Sequence, residues 1–223
     1  MNRFRSIYNK IQEYYDRLPN EKWKLSFLSA LPFWVGSFIV GLVAVFYAQL
    51  FEWAENSFIW MLEHLGYWMF LISPVLFIGS WWAVTRYAPY ASGSGIPQVT
   101  ASLELIQERQ SRKVIRLLSF PIIFIKLISS FLLALGGGII GREGPTIQIA
   151  ASVFKKTYDW LPEGWPRISP KNMIMTGAAA GLAAAFNTPL GGLVFAIEEL
   201  TKTHFNNFKN SLFIGVVIAG ITA

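Results

Sequence analysis

Apolar positions along this chain follow two rhythms. Over residues 1–24, Phe4, Ile7, Tyr8, Ile11 and Tyr15 recur at helical spacing among Lys, Arg and Glu. That pattern fits an amphipathic helix at a cytoplasmic membrane interface, and equally a plain cytosolic helix. Charge continues through the region where a signal peptide would carry its apolar centre, which excludes one. Uncharged runs follow. Leu25–Leu50 carries no charged residue and exceeds the roughly 20 residues a bilayer crossing needs. Tyr67–Val84 gives a second span, closed by Arg86 and flanked by Trp81, Trp82 and Tyr87 as interfacial aromatics. Leu117–Ile140 gives a third, interrupted by Pro121 and Lys126.

Beyond residue 140 the rhythm shortens. Residues Gly144–Phe154, Met173–Phe186 and Leu190–Ile197 are apolar but short, and Gly and Pro punctuate them. Broken helices at membrane depth are tolerated where backbone is buried in protein or lines a polar cavity, which is a transporter pattern. The small-xxx-small run from Gly177 to Gly181 reads as a packing face for close helix approach.

Composition agrees with the spans. Apolar residues make up 53% of the chain and charged residues 14%, too little charge to cover a soluble domain of this size. The net charge of +6 raises nucleic-acid binding, but the bases are spaced as topology markers and do not share one face. Blocks at residues 3–24, 109–116, 155–171 and 202–209 alternate with apolar runs, whereas Glu52, Glu55, Glu63 and His64 have no Lys or Arg among them. Basic loops stay inside, so the N-terminus is expected in the cytoplasm and the acidic segment is expected as an outside loop. Cysteine is absent and only two histidines occur, so neither a thiolate nor a His-carboxylate metal site is expected. No nucleophile–base pair is visible, which disfavours an intramembrane enzyme.

Two Gly-rich breaks carry the candidate chemistry: Gly93-Ser94-Gly95-Ile96-Pro97 and Gly141-Arg142-Glu143-Gly144-Pro145. In each, Pro lies just inside the expected helix start, where its missing N–H costs nothing. A helix N-terminus offers unpaired N–H donors and roughly half a positive charge, an anion site without a full cation. Such a site can be weak enough for a transported ion to leave. Taken singly, each break could be a helix cap. The residues from Gly136 to Gly141 also fit GxGxxG, but an apolar span precedes them instead of a strand, so the match is accidental.

Glu143 is an acid at membrane depth, where a carboxylate is expensive and a functional site by default. At an anion-attracting helix start it would compete with a free anion, and its protonation would release the site. A salt bridge to Arg142 or Lys126 is the structural alternative. Glu198 and Glu199 are expected to end the Leu190–Ile197 helix against its dipole. Pairing of Glu198 with Lys202 is one reading of them, and a proton relay from Glu199 to Glu143 the other.

At these residues the chain resembles the CLC family of chloride channels and proton-coupled chloride antiporters. Gly93–Pro97 matches its GSGIP motif and Gly141–Pro145 its GxEGP motif; Thr176–Asn187 and Val194–Glu199 also look like family segments. The resemblance implies an all-α polytopic membrane protein, with residues 25–223 forming the first of two inverted-topology halves. It implies chloride and protons as transported species, no cofactor, a lipid bilayer as partner, a homodimeric parent and a place in the cell (inner) membrane. It also implies an anion site at Ser94, Gly95, Ile96, Gly141, Arg142 and Gly144, with Glu143 as gate and Glu199 as inner proton-transfer group. Lys126 and Glu198 would support them. Ser94 points to chloride over nitrate. Nothing here matches the family's second-half GxFxP motif, so the chain is expected to be a fragment, or a half that assembles with a partner. Proton-coupled antiport in the full-length parent is the expected activity. The alternatives are a passive channel of the same fold and a module that packs without transporting.

Overall fold

Glycine and proline positions set most helix ends in this fold. A computed structural model describes residues 21–108, 111–162, 165–200 and 209–223. The interfacial segment expected at the N-terminus lies outside these up to residue 20, as does the pairing of Glu198 with Lys202. Helix α1, Glu21–Leu65, runs 45 residues, and Gly66, at φ +49°, ends it by adopting a left-handed conformation that costs glycine little. The acidic stretch with Glu52, Glu55, Glu63 and His64 was expected as a loop, and it is helix instead. Apart from Gly41, no Gly or Pro occurs between Ser37 and Leu65, and Leu, Glu, Ala and Met there are strong helix formers. Charge alone therefore does not open a turn.

Pro32 lies inside α1 and cannot donate to the carbonyl of Leu28. The indole of Trp165 fills that gap, its Nε1–H donating to Leu28 O at 3.1 Å. A short 3₁₀ turn at Gly66–Trp68 leads into α2, Met69–Tyr87. After a second such turn at Pro89–Ala91 come α3, Ile96–Gln107, and α4, Ser111–Leu117. Helix α5 spans Phe120–Leu135, shorter than the run expected to Ile140. Pro121 does not interrupt it but lies in its first turn, after an extended Ser119, where proline is preorganised for helix. Helices α6, Glu143–Asp159, and α7, Pro170–Phe186, follow. Then come α8, Pro189–Phe195, a π-helical turn at Ala196–Leu200, and α9, Lys209–Thr222. Among the described residues the regular structure is helical throughout.

The core forms around α6 and α7, where every residue from Pro145 to Lys155 and from Met173 to Gly181 is buried. Missing side chains make that approach possible. A β-carbon on Gly177 would fall 2.7 Å from Phe154 Cβ, and one on Gly181 would fall 2.5 Å from Ala150 Cβ. These are packing positions, and glycine is what lets two backbones meet there. Two stretches, Leu25–Tyr87 and Lys113–Leu135, are long and apolar enough to cross a membrane. Their outer faces present Phe38, Phe46, Phe70 and Ile78 from the first and Phe124 and Ile128 from the second exposed. An apolar surface of that extent is disfavoured in water and suits lipid or further protein.

Candidate functional site

The first break is built by side chains that capture its carbonyls. Gly93 and Gly95 take φ of +71° and +102°, and Gly95 caps α3 from the left-handed region. Lys126, 2% exposed, donates from Nζ to Ala91 O at 2.8 Å and Gly93 O at 2.7 Å. Between them, Gln98 Nε2 donates to Ser92 O at 2.7 Å. With three successive carbonyls engaged, the loop is fixed ahead of the α3 N-terminus, whose first N–H groups have no intrahelical acceptor. Lys126 thus acts through the backbone and orders the Ser94 loop.

The second break opens α6. Thr146 donates to Arg142 O from both backbone N, at 3.1 Å, and Oγ1, at 2.7 Å, which leaves the N–H groups of Glu143 and Gly144 as the free donors of the first turn. The glycine run before it packs across two other helices. A β-carbon on Gly137 would meet the Phe58 ring at 2.4 Å, and one on Gly136 would meet Phe77 at 2.8 Å.

The two helix starts, about fifty residues apart in sequence, touch. A β-carbon on Gly144 would lie 2.8 Å from Ser94 O and 2.9 Å from Ser94 Cβ. One on Gly95 would lie 2.6 Å from Gln148 Cβ and 3.1 Å from Gly144 O. Gln148 is fully buried and donates from Nε2 to Tyr90 O at 3.0 Å and Leu117 O at 3.2 Å, holding α6 against the segments on either side of α3 and α4. Electrostatically, two positive helix ends converge on one place.

A cavity of about 580 Å³ opens at this junction, lined by Gly93, Ser94, Ile96, Gly141, Glu143, Gly144 and Lys126. Ser129 and Ser130 of α5 and Ser80 of α2 add hydroxyls to its wall. The carboxylate of Glu143 folds back over Gly141, so that a β-carbon there would lie 2.6 Å from Oε2. Among the described residues the ion pair is Lys155–Asp159; Glu143 makes none with Arg142 or Lys126.

The structure therefore gathers Ser94, Ile96, Gly141, Glu143, Gly144 and Lys126 around one cavity. Gly95 faces Gln148, and Arg142 is half-buried at the cap of α6 without lining the cavity. Glu198 and Glu199 occupy the exposed π-helical turn outside it. Sequence reasoning missed Ser129, Ser130 and Gln148. The first two lie three and four residues after Lys126, on the same helical face, and that spacing of polar groups in an apolar span was the available signal.

A profile of the voltage gated chloride channel family matches residues 75–223. The H(+)/Cl(-) exchange transporter ClcA of Klebsiella pneumoniae (strain 342) is 32% identical over 193 residues, covering 82% of this chain and 39% of that protein. The protein of the same name from Salmonella arizonae is 33% identical over the same shares. The chain thus spans about two fifths of the length of these curated relatives. Among solved structures, a slow cyanobacterial Cl-/H+ antiporter superposes with a TM-score of 0.66 at 28% identity, over 87% of this chain and 46% of that one. A eukaryotic CLC transporter superposes with a TM-score of 0.69 at 20% identity, over 87% of this chain and 38% of that one, a likeness of fold.

Proposed function

Because the chain belongs to the voltage gated chloride channel family, an all-α polytopic membrane fold, we propose that its two helix starts form the donor side of a chloride path. The observation that carries this is the contact of Ser94 with Gly144 beside the Glu143 carboxylate, all on one cavity. A dehydrated halide needs several donors. The Ser94 hydroxyl with the first N–H groups of α3 and α6 supplies them without a full cation, so binding stays weak enough for passage. Lys126 is turned away to the loop carbonyls, which leaves the anion to dipoles.

Glu143 carries the gate in this reading. Ionised, it takes the place of an anion at the α6 start; protonated, it has no charge to hold there and yields the site. Proton uptake and anion entry then exclude the closed state together, which is the linkage that antiport requires. Glu199 would pass protons on the other side of the membrane, in a parent that includes a second half. One observation favours a passive channel of the same fold: Glu199 lies exposed in the π-helical turn, outside the cavity.

The test is chloride flux from vesicles holding the chain alone and, separately, the chain co-assembled with the C-terminal part of a ClcA relative. The gate predicts pH-dependent flux in the assembly that Glu143→Gln makes pH-independent; wild-type pH dependence in that variant would refute it. Glu199→Gln separates antiport from channel. Loss of chloride-driven proton pumping with chloride flux retained supports antiport, whereas a wild-type protein that pumps no protons is a channel. Flux from the chain alone would establish a self-sufficient half.

A further inference from the structure

Serines of α2 and α5 line the cavity beside the two helix starts, and their hydroxyl protons are already committed. Ser80 Oγ donates to Ser129 O at 3.0 Å, from one helix to the other. Ser129 Oγ donates to Lys126 O at 3.2 Å, and Ser130 Oγ to the same carbonyl at 2.7 Å. A hydroxyl has one proton and two lone pairs, so these side chains retain acceptor capacity and little else. Among the described residues no hydrogen bond ends on Ser80 Oγ or Ser129 Oγ. Alanine would pack the two helices as closely without setting an oxygen in an apolar span. Around these serines the wall is completed by the aliphatic side chains of Val84, Leu133 and Ile140. Lone pairs left idle in such surroundings cost free energy unless a donor comes to them. The cavity, about 580 Å³, far exceeds the ~15 Å³ that one water needs.

We propose that Ser80 and Ser129 hold water that stays on the anion, so that the path takes a partly hydrated halide. The inference rests on reading the two helix starts as the donor side of a chloride path. A bare halide offers only lone pairs, and an acceptor wall does nothing for it. A water placed between them donates one O–H to the halide and the other to a serine oxygen, which makes the wall a partner of the ion at one remove. Ser94 and the first N–H groups of α3 and α6 then replace part of the hydration shell, and the serines orient the part that remains. Selectivity follows from this division. An anion that holds its water firmly, such as chloride, is served by both sides of the cavity, whereas a weakly hydrated one, such as thiocyanate, is served by the helix starts alone.

Two measurements on the full chain test this. Water-edited solid-state NMR in lipid vesicles follows polarisation passing from water to labelled serine Cβ, with signals assigned by their loss in Ser80→Ala and Ser129→Ala. Ser80 and Ser129 should receive it early. Ser152 supplies the control: it commits its proton in the same way, to Gln148 O at 2.8 Å, but does not line the cavity, and its signal should rise late. Calorimetric titration with sodium chloride and with sodium thiocyanate is the second. Ser80→Ala and Ser129→Ala should each weaken chloride about fivefold, the size of one hydrogen bond, and leave thiocyanate within about twofold; Ser152→Ala should change neither. Ser80→Ala breaks a link between helices and Ser129→Ala only one within α5, so an effect common to both does not come from loosened packing. Late transfer to Ser80 and Ser129, unchanged chloride affinity in both variants, or equal losses for the two anions, which would make the serines direct donors, overturns the proposal and leaves the chloride path standing. A chain that binds neither anion refutes the path itself and the proposal with it.

Discussion

Adding one methyl group at Gly144 should separate the two helix starts. The β-carbon would lie 2.8 Å from Ser94 O, 2.9 Å from Ser94 Cβ and 3.2 Å from Ser94 C. Two of those atoms are backbone, so no rotamer change relieves the clash. Either α6 or the Ser94 loop must move, and the loop is fixed by Lys126 and Gln98. Overpacking of this kind costs about 1–3 kcal/mol. If the strain is relieved by parting the helix starts, anion affinity should fall by roughly 5- to 150-fold, since about 1.4 kcal/mol is a factor of ten. Gly79 supplies the control. It lies in α2, and its added β-carbon would meet only Leu132 Cδ1, at 3.9 Å, so Gly79→Ala should stabilise the helix by roughly 0.5–1 kcal/mol. The assay is calorimetric titration of detergent-solubilised chain with sodium chloride, paired with thermal unfolding monitored by circular dichroism. Gly144→Ala binding chloride as tightly as Gly79→Ala would refute a site shared between the two starts.

Lys126→Met keeps the stem but strands the buried Ala91 O, at about 1–3 kcal/mol, and releases the more exposed Gly93 O to water. It should lower the unfolding temperature and weaken chloride binding together, and unchanged values of both in the same two assays would show that the lysine does not order the loop. Trp165→Phe removes the donor to Leu28 O and should destabilise by a similar amount for one group, with chloride affinity unchanged. An unfolding midpoint equal to that of the unsubstituted chain would mean that the carbonyl freed by Pro32 is satisfied another way.

Much of this protein is legible without coordinates, and the reason is local. The left-handed Gly95 and the proline in the first turn of α3 act through their own backbone sterics, so that helix boundary is written in neighbouring residues. The same holds for Glu143 at the start of α6, and for the apolar helical character of α1, α2 and α5, though not for their lengths. Locality also explains the errors. The acidic stretch before Leu65 was expected as a loop because charge was taken as a topological sign, yet nothing in its backbone breaks a helix. Pro121 was expected to interrupt α5 because its position relative to the helix start depends on Ser119 turning extended.

Which helix starts meet is a different kind of question. Ser94 and Gly144 come together because Gly95 and Gly144 lack the β-carbons that would hold the loop and α6 apart, and because Gln148 reaches across to Tyr90 O and Leu117 O. Lys126 could have faced an anion, Glu143 or the lipid edge. Its burial against Ala91 O and Gly93 O follows from where α5 lies relative to the loop. Sequence by itself determined the pieces of the site, since each is a property of a few adjacent residues. Tertiary structure alone decided their assembly, since that depends on close backbone approach between segments some fifty residues apart.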